Sequence, residues 1–283
     1  MQLQFLGTAA SEGYPNAFCA CDNCETARRL GGPSLRKRSA ALIDNQLLLD
    51  FGPDLMAASL QHGVSLAGIR YCLQTHEHHD HFDPSHFGSR SAYCGVYGTP
   101  RLHYFASQGA IDKAFAAFSA RHNGAAYDPE SDPKLNLSLR PVAPFQRFDV
   151  GPYQVLSLKA RHAPELTAML YLIERDGRVL FYGTDTGELP DETWQALVEQ
   201  GKPMHVVVLD HTFGMKGRSG GHMNAEQFLE QVARLRDLGL LAEGARIFAH
   251  HIGHHSNPAH PELAEFTARH GYAPAYDGLV VQV

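Results

Sequence analysis

Short runs in which hydrophobic residues follow a β-strand pattern occur at the start of the chain and again along it. Residues 1–7 alternate in the manner of a half-buried β-strand. Two β-hairpins are predicted where β-prone runs flank turn residues: 41–43 and 46–50 around Asp44-Asn45, and 168–174 and 178–182 around Asp176-Gly177. Further strands are predicted at residues 69–74, 155–158, 205–209 and 246–249. The second half of the chain therefore repeats the first weakly.

Apolar residues at helical spacing separate these strands. Helices are predicted at residues 53–62, 108–122, 190–200 and 224–238. A shorter helix is expected from Asp22, as its N-cap, to Leu30, with Gly31-Gly32-Pro33 as its stop. Because helices alternate with strands, the pattern predicts mixed sheets covered by helices. No Pro/Gly/Ser-rich linker divides the chain, so we expect one domain with two halves over residues 1–283.

Composition restricts the classes of partner. The 283 residues are 44% hydrophobic and 19% charged, as in globular proteins, and the formal net charge is -6. This charge provides no general attraction to nucleic acid or to anionic membranes, so local groups must hold any anionic substrate. No apolar run approaches the ~20 residues of a membrane span, and the first residues lack a secretory signal. We therefore expect a cytoplasmic protein; a homodimer is left open.

The densest group of potential metal ligands lies at residues 75–81, directly after a predicted strand, and reads THEHHDH. Imidazole nitrogens and carboxylate oxygens bind zinc, manganese or iron. In an extended segment alternate side chains share a face, so His76 and His78 can point the same way. A following turn would let Asp80 and His81 face a second centre. The alternative, a solvated loop that happens to be rich in histidine, is disfavoured because ligand-type residues are rarely so dense without a metal.

Cysteines form a second chemical feature. Cys19, Cys21 and Cys24 offer three thiolates to one point, and a tetrahedral zinc needs a fourth ligand from elsewhere. Five cysteines with this clustering do not favour a disulfide framework, so we expect reduced thiols or metal ligands. An unliganded loop is the alternative. Cys72 and Cys94 are expected to be packed as small apolar residues.

Other candidates follow predicted strands in the second half of the chain. His162, Asp185, His222 and the group at residues 250–255 all occupy loops of the type that carries chemistry in sheet proteins. Each one alone is weak evidence, because a lone histidine is more often structural. The triplet Arg36-Lys37-Arg38 predicts either a solvated strand edge or a grip on a substrate phosphate, and the sequence does not decide between them.

The order of these residues resembles the ligand set of the metallo-β-lactamase superfamily, and the resemblance covers essentially the whole chain. It implies an αββα sandwich with a dinuclear site at one edge. Within the superfamily, the cysteine group and Gly220-Gly221-His222 resemble the PhnP-type phosphodiesterases, accessory proteins of carbon-phosphorus lyase. That resemblance implies a structural zinc held by the cysteines and by a histidine three positions beyond the last catalytic one, here His254.

Carried over to this sequence, the resemblance implies two ligand sets, one for each active-site ion: His76, His78 and His162 for the first, and Asp80, His81 and His251 for the second. Asp185 would bridge the two ions, and His222 would protonate the leaving group. In the stretch at 250–255, a one-residue slip would put His250 or His255 in place of His251 or His254. Glu77 and His79 are expected at most as outer partners of the ligands.

These features predict a hydrolase that cleaves a small cyclic or nucleotide-like phosphodiester with a hydroxide held by two zinc or manganese ions. A lactonase or β-lactam hydrolase is an alternative from the same fold. Another is a non-hydrolytic member, such as a cofactor-biosynthesis protein or an iron centre for oxygen chemistry. One departure from the family pattern is Phe82-Asp83-Pro84, where glycine often follows the Asp-His pair, so the lip above the metals is expected to differ.

Overall fold

The strands of the protein account for most of the predicted pattern. The computed structural model describes residues 1–121 and 127–283. Its strands are β1 (Gln2–Gly7), β2 (Ala40–Ile43), β3 (Leu47–Leu49), β4 (Tyr71–Leu73), β5 (Leu102–Ala106), β6 (Leu137–Pro141), β7 (Arg147–Val150), β8 (Tyr153–Lys159), β9 (Met169–Arg175), β10 (Arg178–Gly183), β11 (Met204–Asp210), β12 (Leu241–His250), β13 (Ala273–Pro274) and β14 (Val280–Gln282). Both predicted hairpins are present, as β2–β3 and β9–β10.

The α-helices are α1 (Asp22–Leu30), α2 (Leu55–His62), α3 (Ser85–Ser89), α4 (Gln108–Arg121), α5 (Asp191–Gln200), α6 (Ala225–Asp237) and α7 (His260–Arg269), with 3-10 turns at Gly32–Ser34 and Ala92–Cys94. The prediction for α4 extended to His122, which lies outside the described residues. Asn224 caps α6 through a capping box with Gln227. The predicted cap of α1 is wrong, because Asp22 is the first helical residue and the N-cap is Cys21, which makes no side-chain capping bond.

The two sheets have mirrored arrangements. One has the order β14-β1-β2-β3-β4-β5-β6 and the other β13-β12-β11-β10-β9-β8-β7. In the first sheet, the pairs from β14 to β3 are antiparallel and those from β3 to β6 are parallel. In the second, the pairs from β13 to β10 are parallel and those from β10 to β7 are antiparallel. Each half of the chain thus supplies most of one mixed sheet, and the C-terminal strand β14 completes the first sheet beside β1.

Three apolar layers hold the sandwich together. The central layer packs side chains of both sheets against each other, including Phe5 and Leu49 from the first and Tyr171 and Val206 from the second. A second layer packs α5, α6 and α7 on the outer face of the second sheet, and a third packs α2 and α4 on the first. This confirms the predicted αββα sandwich of two mixed sheets flanked by helices. Within the described residues, no helix combines the length and the apolar character that crossing a bilayer requires.

Candidate metal centre

Loops at one edge of the sandwich bring the predicted ligands together. The run at residues 75–81 follows β4, Asp185 follows β10 and His251 follows β12, while His162 lies in the loop between β8 and β9. These strands belong to both sheets, so the candidate centre lies where the two sheets meet. Residues separated by 175 positions in the sequence, His76 and His251, therefore reach one site.

The first group comprises His76, His78, His162 and Asp185, whose potential ligand atoms all lie within 4.8 Å of one another. His78 Nδ1 lies 2.9 Å from His76 Nε2 and 3.0 Å from His162 Nε2. Asp185 Oδ2 lies 3.1 Å from His76 Nε2. His76 and Asp185 are buried, whereas His78 and His162 are partly exposed. One face of the group is therefore open to a ligand.

The second group comprises Asp80, His81, Asp185 and His251, all buried and again within 4.8 Å of one another. His81 Nε2 lies 3.1 Å from Asp185 Oδ2 and 3.3 Å from His251 Nε2. Asp185 belongs to both groups, which is the position that the sequence predicts for a bridging carboxylate. The structure thus brings all seven predicted active-site ligands into two adjoining clusters.

Two of the candidate ligands have left-handed backbone conformations. Asp185 has φ 55° and His251 has φ 57°. Such conformations are uncommon outside glycine and cost of order 1–3 kcal/mol. Both residues directly follow buried strands of the second sheet, where the chain must turn sharply to direct the side chain over the sheet edge. Both strained residues therefore contribute side chains to the candidate centre.

The carboxylates of the centre are strongly perturbed by their surroundings. Burial opposes their ionisation, but the nearby imidazoles outweigh it: His251, His222 and His76 hold the pKa of Asp185 well below its usual range, and His81 and His251 do the same for Asp80. Asp185 Oδ1 is buried and makes no well-formed hydrogen bond, although His222 Nδ1 lies 3.1 Å and His162 Nδ1 lies 3.4 Å from it. A buried anionic oxygen surrounded by imidazole nitrogens fits a cation-binding role.

A further set of buried groups orients the imidazoles from behind. Their contacts are Asp50 Oδ2 with His81 Nδ1 at 2.7 Å, Thr75 Oγ1 with His76 Nδ1 at 3.0 Å, the Gly221 carbonyl with His162 Nδ1 at 3.3 Å, and Thr212 Oγ1 with His251 Nδ1 at 2.8 Å. Each contact leaves Nε2 of its histidine facing the centre. The sequence analysis missed these partners, although Asp50 closes the first predicted hairpin.

The side chains of Glu77 and His79, expected as outer partners of the ligands, face away from the candidate centre. The side chain of His79 is exposed, and the Glu77 carboxylate accepts a hydrogen bond from Ser107 Oγ at 3.4 Å. Lys113 donates to the backbone carbonyl of Glu77. In an extended run, odd-numbered residues face away from the side occupied by His76 and His78, so these two side chains turn outward.

His222 lies beside both metal-ligand groups. Its Nδ1 is 3.1 Å from Asp185 Oδ1 and 3.2 Å from Asp210 Oδ2. Although burial opposes the charged form, these two carboxylates raise the pKa of His222 to about 10. About a fifth of its side chain is exposed, whereas Asp210 is buried. The geometry presents a cationic imidazole with its other nitrogen free.

A cavity of about 420 Å³ opens above the centre. Its lining includes His78, Asp80, His162, Asp185, His222 and His251 from the centre, and Glu12, Phe213 and His255 from neighbouring loops. Two other surface hollows, one beside Phe148 and one beside Phe51, contain none of these residues, so the ligand chemistry places the site in this cavity.

The predicted cysteine group is also brought together. Ligand atoms of Cys19, Cys21, Cys24 and His254 all lie within 4.8 Å of one another. Cys21 Sγ is 3.7 Å from His254 Nδ1, and Asn23 Nδ2 donates to the His254 carbonyl at 2.8 Å. Burial opposes ionisation of Cys21, but hydrogen bonds from the Cys24 backbone and His254 lower its pKa to about 6. A thiolate ready for metal binding results.

Two expectations from the sequence need correction. Cys94 is exposed rather than packed, whereas Cys72 is fully buried as expected. The cationic triplet is neither a solvated edge nor a phosphate grip, because all three side chains are engaged: Arg36 with Thr8 and His260, Lys37 with Asp277, and Arg38 with Asp54. Arg36 is only 5% exposed. Arg36 and Lys37 thus join the N-terminal part of the chain to its C-terminal part, whereas Arg38 pairs locally with Asp54.

The two remaining histidines of the 250–255 stretch lie outside the ligand groups. His250 is buried, and its ring nitrogens contact Thr184 Oγ1 at 2.8 Å and the Gly7 carbonyl at 3.1 Å. His255 is exposed, and its ring lies 5.2 Å from that of Phe213. The clusters of potential metal ligands contain His251 and His254, the two residues that the resemblance implies.

Comparison with known proteins agrees with this fold. The chain aligns with a diphosphatase from the PhnP family at 19% identity and TM-score 0.73, covering 100% of this chain and 97% of that one. Zn²⁺-bound PqqB from Methylobacterium extorquens is also 19% identical, with TM-score 0.73 and full coverage of both chains. The short form of human tRNase Z is 16% identical, with TM-score 0.65 and coverage of 100% and 99%. These likenesses concern the fold.

Comparison with curated protein sequences yields no significant match. A sequence model of the beta-lactamase superfamily domain, however, matches residues 45–252, which is well over half of the chain. The matched segment contains both sheets' central strands and every residue of the two His/Asp groups. The chain therefore belongs to the metallo-β-lactamase superfamily.

Proposed function

We propose that this protein is a dinuclear metal-dependent hydrolase that cleaves a phosphodiester. The observation that carries the proposal is the pair of His/Asp groups that share Asp185 on the floor of an open cavity. Two adjoining groups of this kind suit two ions that act on one substrate. The cavity volume of about 420 Å³ suits a small cyclic or nucleotide-like ester rather than a polymer.

The residues present fit a pair of divalent ions, because seven residues with imidazole and carboxylate ligand atoms converge on the two positions, and the buried carboxylate of Asp185 belongs to both. The first ion would be held by His76, His78 and His162, the second by Asp80, His81 and His251, and Asp185 would contact both. When bound, zinc or manganese ions would activate a water molecule and polarise the phosphoryl oxygens.

His222 would complete the reaction as a general acid. Its Nδ1 is held by Asp185 and Asp210, so Nε2 is the nitrogen that faces the substrate. As the phosphorus–oxygen bond breaks, the departing alkoxide takes the Nε2 proton and leaves as an alcohol. The nearby carboxylates raise the pKa of His222, which favours the protonated ring that a general acid needs. The same positive charge favours binding of the anionic ester.

Hydrolysis of bis(p-nitrophenyl) phosphate by purified protein with added zinc or manganese tests the proposal. We expect turnover that Asp80→Ala abolishes together with a lower metal content. His222→Ala should slow this activated ester much less than an ester with an alkoxide leaving group, because p-nitrophenolate leaves without a proton. His79→Ala, one position away but outside both groups, should retain its metal content. Absence of turnover with every divalent metal would overturn the proposal.

The cysteine group suggests a separate structural zinc. Three sulfur atoms and one imidazole in one cluster are a typical ligand set for a closed zinc site. We expect elemental analysis to find two zinc or manganese ions and one further zinc per chain. Cys24→Ser should remove the further zinc alone, whereas equal metal content in the variant would contradict this site.

A non-hydrolytic role is the second candidate, because Zn²⁺-bound PqqB resembles this chain in fold as strongly as the diphosphatase does. A single iron per chain in place of two zinc or manganese ions would favour oxygen chemistry. Turnover of a lactone or a β-lactam, with none of a phosphodiester, would instead favour a hydrolase that acts on a carbonyl carbon.

We expect the proposed phosphodiesterase to act in the cytoplasm on a small molecule.

A further inference from the structure

Glu12 connects the cysteine group to the candidate active site. It lies in the loop between β1 and α1 and lines the cavity above the His/Asp groups. Its Oε1 is 3.7 Å from His254 Nε2, while Nδ1 of the same imidazole faces Cys21 Sγ at 3.7 Å. Because Nδ1 of the ring faces the thiol of Cys21, Nε2 is the nitrogen on the side of Glu12. The Glu12 carboxylate therefore lies against His254 of the cysteine group.

The two oxygens of Glu12 differ in their surroundings. Oε1 is shielded from solvent and has no hydrogen-bond partner, since 3.7 Å is an electrostatic contact rather than a hydrogen bond. Oε2 accepts a hydrogen bond from Ser11 Oγ at 3.3 Å. Because a carboxylate oxygen accepts more than one hydrogen bond, Oε2 retains capacity for a donor in the cavity.

Phe213 and His255 form the neighbouring part of the cavity wall. Their ring centroids are 5.2 Å apart, and both residues line the same cavity as Glu12. None of these three side chains belongs to the two His/Asp groups. A phosphate would be repelled by Glu12, so the anion belongs near His222 and the ligand clusters. The organic part of the ester would therefore contact the wall formed by Glu12, Phe213 and His255.

We propose that Glu12 determines substrate specificity by accepting a hydrogen bond from a hydroxyl or amino group on the organic part of the ester. This inference rests on the proposed phosphodiesterase function. Phe213 and His255 provide flat surfaces beside that contact, so the favoured substrate carries a ring next to its donor, as a nucleoside does. An ester with no donor displaces water from Oε2 without replacing the hydrogen bond that the water made, and is disfavoured.

Two aryl esters test this proposal: thymidine 5′-(p-nitrophenyl phosphate), which carries a hydroxyl, and its 3′-deoxy analogue, which lacks it. Wild-type protein should show the lower KM for the hydroxyl-bearing ester. Glu12→Ala should reduce that preference by roughly tenfold, the effect of losing a hydrogen bond to a charged group, chiefly through KM. Glu12→Gln keeps the size of the side chain and should reduce it less. Glu265→Ala, an exposed carboxylate on α7, should retain the wild-type preference.

Zinc content and thermal unfolding of both Glu12 variants show whether the cysteine group is still intact. If Glu12→Ala loses zinc, the substrate preference of Glu12→Gln is used to test the proposal. An unchanged preference in a zinc-replete variant overturns the proposal. Should wild-type protein hydrolyse neither ester, the phosphodiesterase proposal fails, and calorimetric titration with thymidine 5′-phosphate decides the role of Glu12. Weaker binding to Glu12→Gln than to wild type supports it; equal binding, or none to wild type, overturns it.

Discussion

Asp210 Oδ2 lies 3.2 Å from His222 Nδ1 at the side of the candidate centre. The carboxylate is itself fixed, because Oδ1 accepts hydrogen bonds from the backbone N–H groups of Thr212 at 3.0 Å and Met223 at 2.8 Å. Asp210 ends β11, so a buried strand positions the imidazole that we propose as the general acid. The orientation of His222 therefore depends on a residue outside the predicted set.

Replacing Asp210 with Asn should slow esters with poor leaving groups most. An alkoxide needs the proton of His222, whereas p-nitrophenolate leaves without one, so we expect kcat to fall about 100-fold for a 2′,3′-cyclic nucleotide and much less for bis(p-nitrophenyl) phosphate. Steady-state kinetics on both esters measures the difference. An equal loss on the two would mean that Asp210 acts on the ligand groups instead.

Asp50→Asn should weaken metal binding at the second group. Asp50 is buried and holds His81 Nδ1 at 2.7 Å, and the loss of such an outer partner typically lowers metal affinity 10- to 100-fold, or about 1–3 kcal/mol. Asn tolerates the left-handed backbone, φ 67°, that Asp50 adopts. Competition with a chelator measures the affinity. Asp176→Asn, at the exposed left-handed turn of the second hairpin, is the matched control and should bind metal normally.

Arg36→Met should destabilise the fold without touching the candidate centre. The buried guanidinium donates to Thr8 Oγ1 and to the carbonyl of Ala275, so methionine leaves buried acceptors unpaired. We expect the free energy of unfolding to fall by about 3 kcal/mol in urea denaturation. Arg269→Met, which breaks an exposed pair with Glu265, should change it by less than about 0.5 kcal/mol. A loss as small for Arg36→Met would contradict the structural role given to the triplet.

Stability should decrease in acid partly through His211. Burial lowers the pKa of this histidine to about 4, and its ring contacts Asn257 Oδ1 at 2.9 Å and Tyr272 OH at 3.0 Å. Between about pH 6.5 and 4 the unfolded chain binds a proton that the folded protein does not, so stability is complete above this window and falls as the pH decreases through it.

The contribution of His211 corresponds to about 3 kcal/mol across the full window. Urea denaturation at pH 7.5 and 4.5 should show a smaller loss in His211→Gln than in the wild-type protein. His270→Gln, which changes a histidine at the exposed end of α7, should lose as much stability as the wild type. Equal losses in all three proteins would show that His211 does not contribute.

Local features of the fold were predictable because the turn residues themselves determine them. Asp44-Asn45 and Asp176-Gly177 adopt left-handed conformations at the hairpin ends, and these residue types favour that geometry with no help from distant contacts. The start of α6 follows equally from its capping box. By contrast, β5, β6 and α7 were missed, since their boundaries depend on pairing and packing with elements elsewhere in the chain.

The sequence by itself determined the chemical character of the candidate centre. The order of its histidines and aspartates, with the cysteine group, was sufficient to indicate the superfamily and to name the residues that converge. It could not reveal that Asp50 and Asp210 hold His81 and His222 from behind, because hydrogen bonds between residues distant in sequence leave no local pattern.

Only the tertiary structure decided how the pieces meet. Packing of the two sheets brings His76 of the first half and His251 of the second to one edge, and it encloses Arg36 where a solvated edge was expected. The same packing places Glu12 between His254 and the cavity. The physical reason is that burial of the apolar layer fixes the distance between the sheets, and side chains at their edge take positions that no short stretch of sequence specifies.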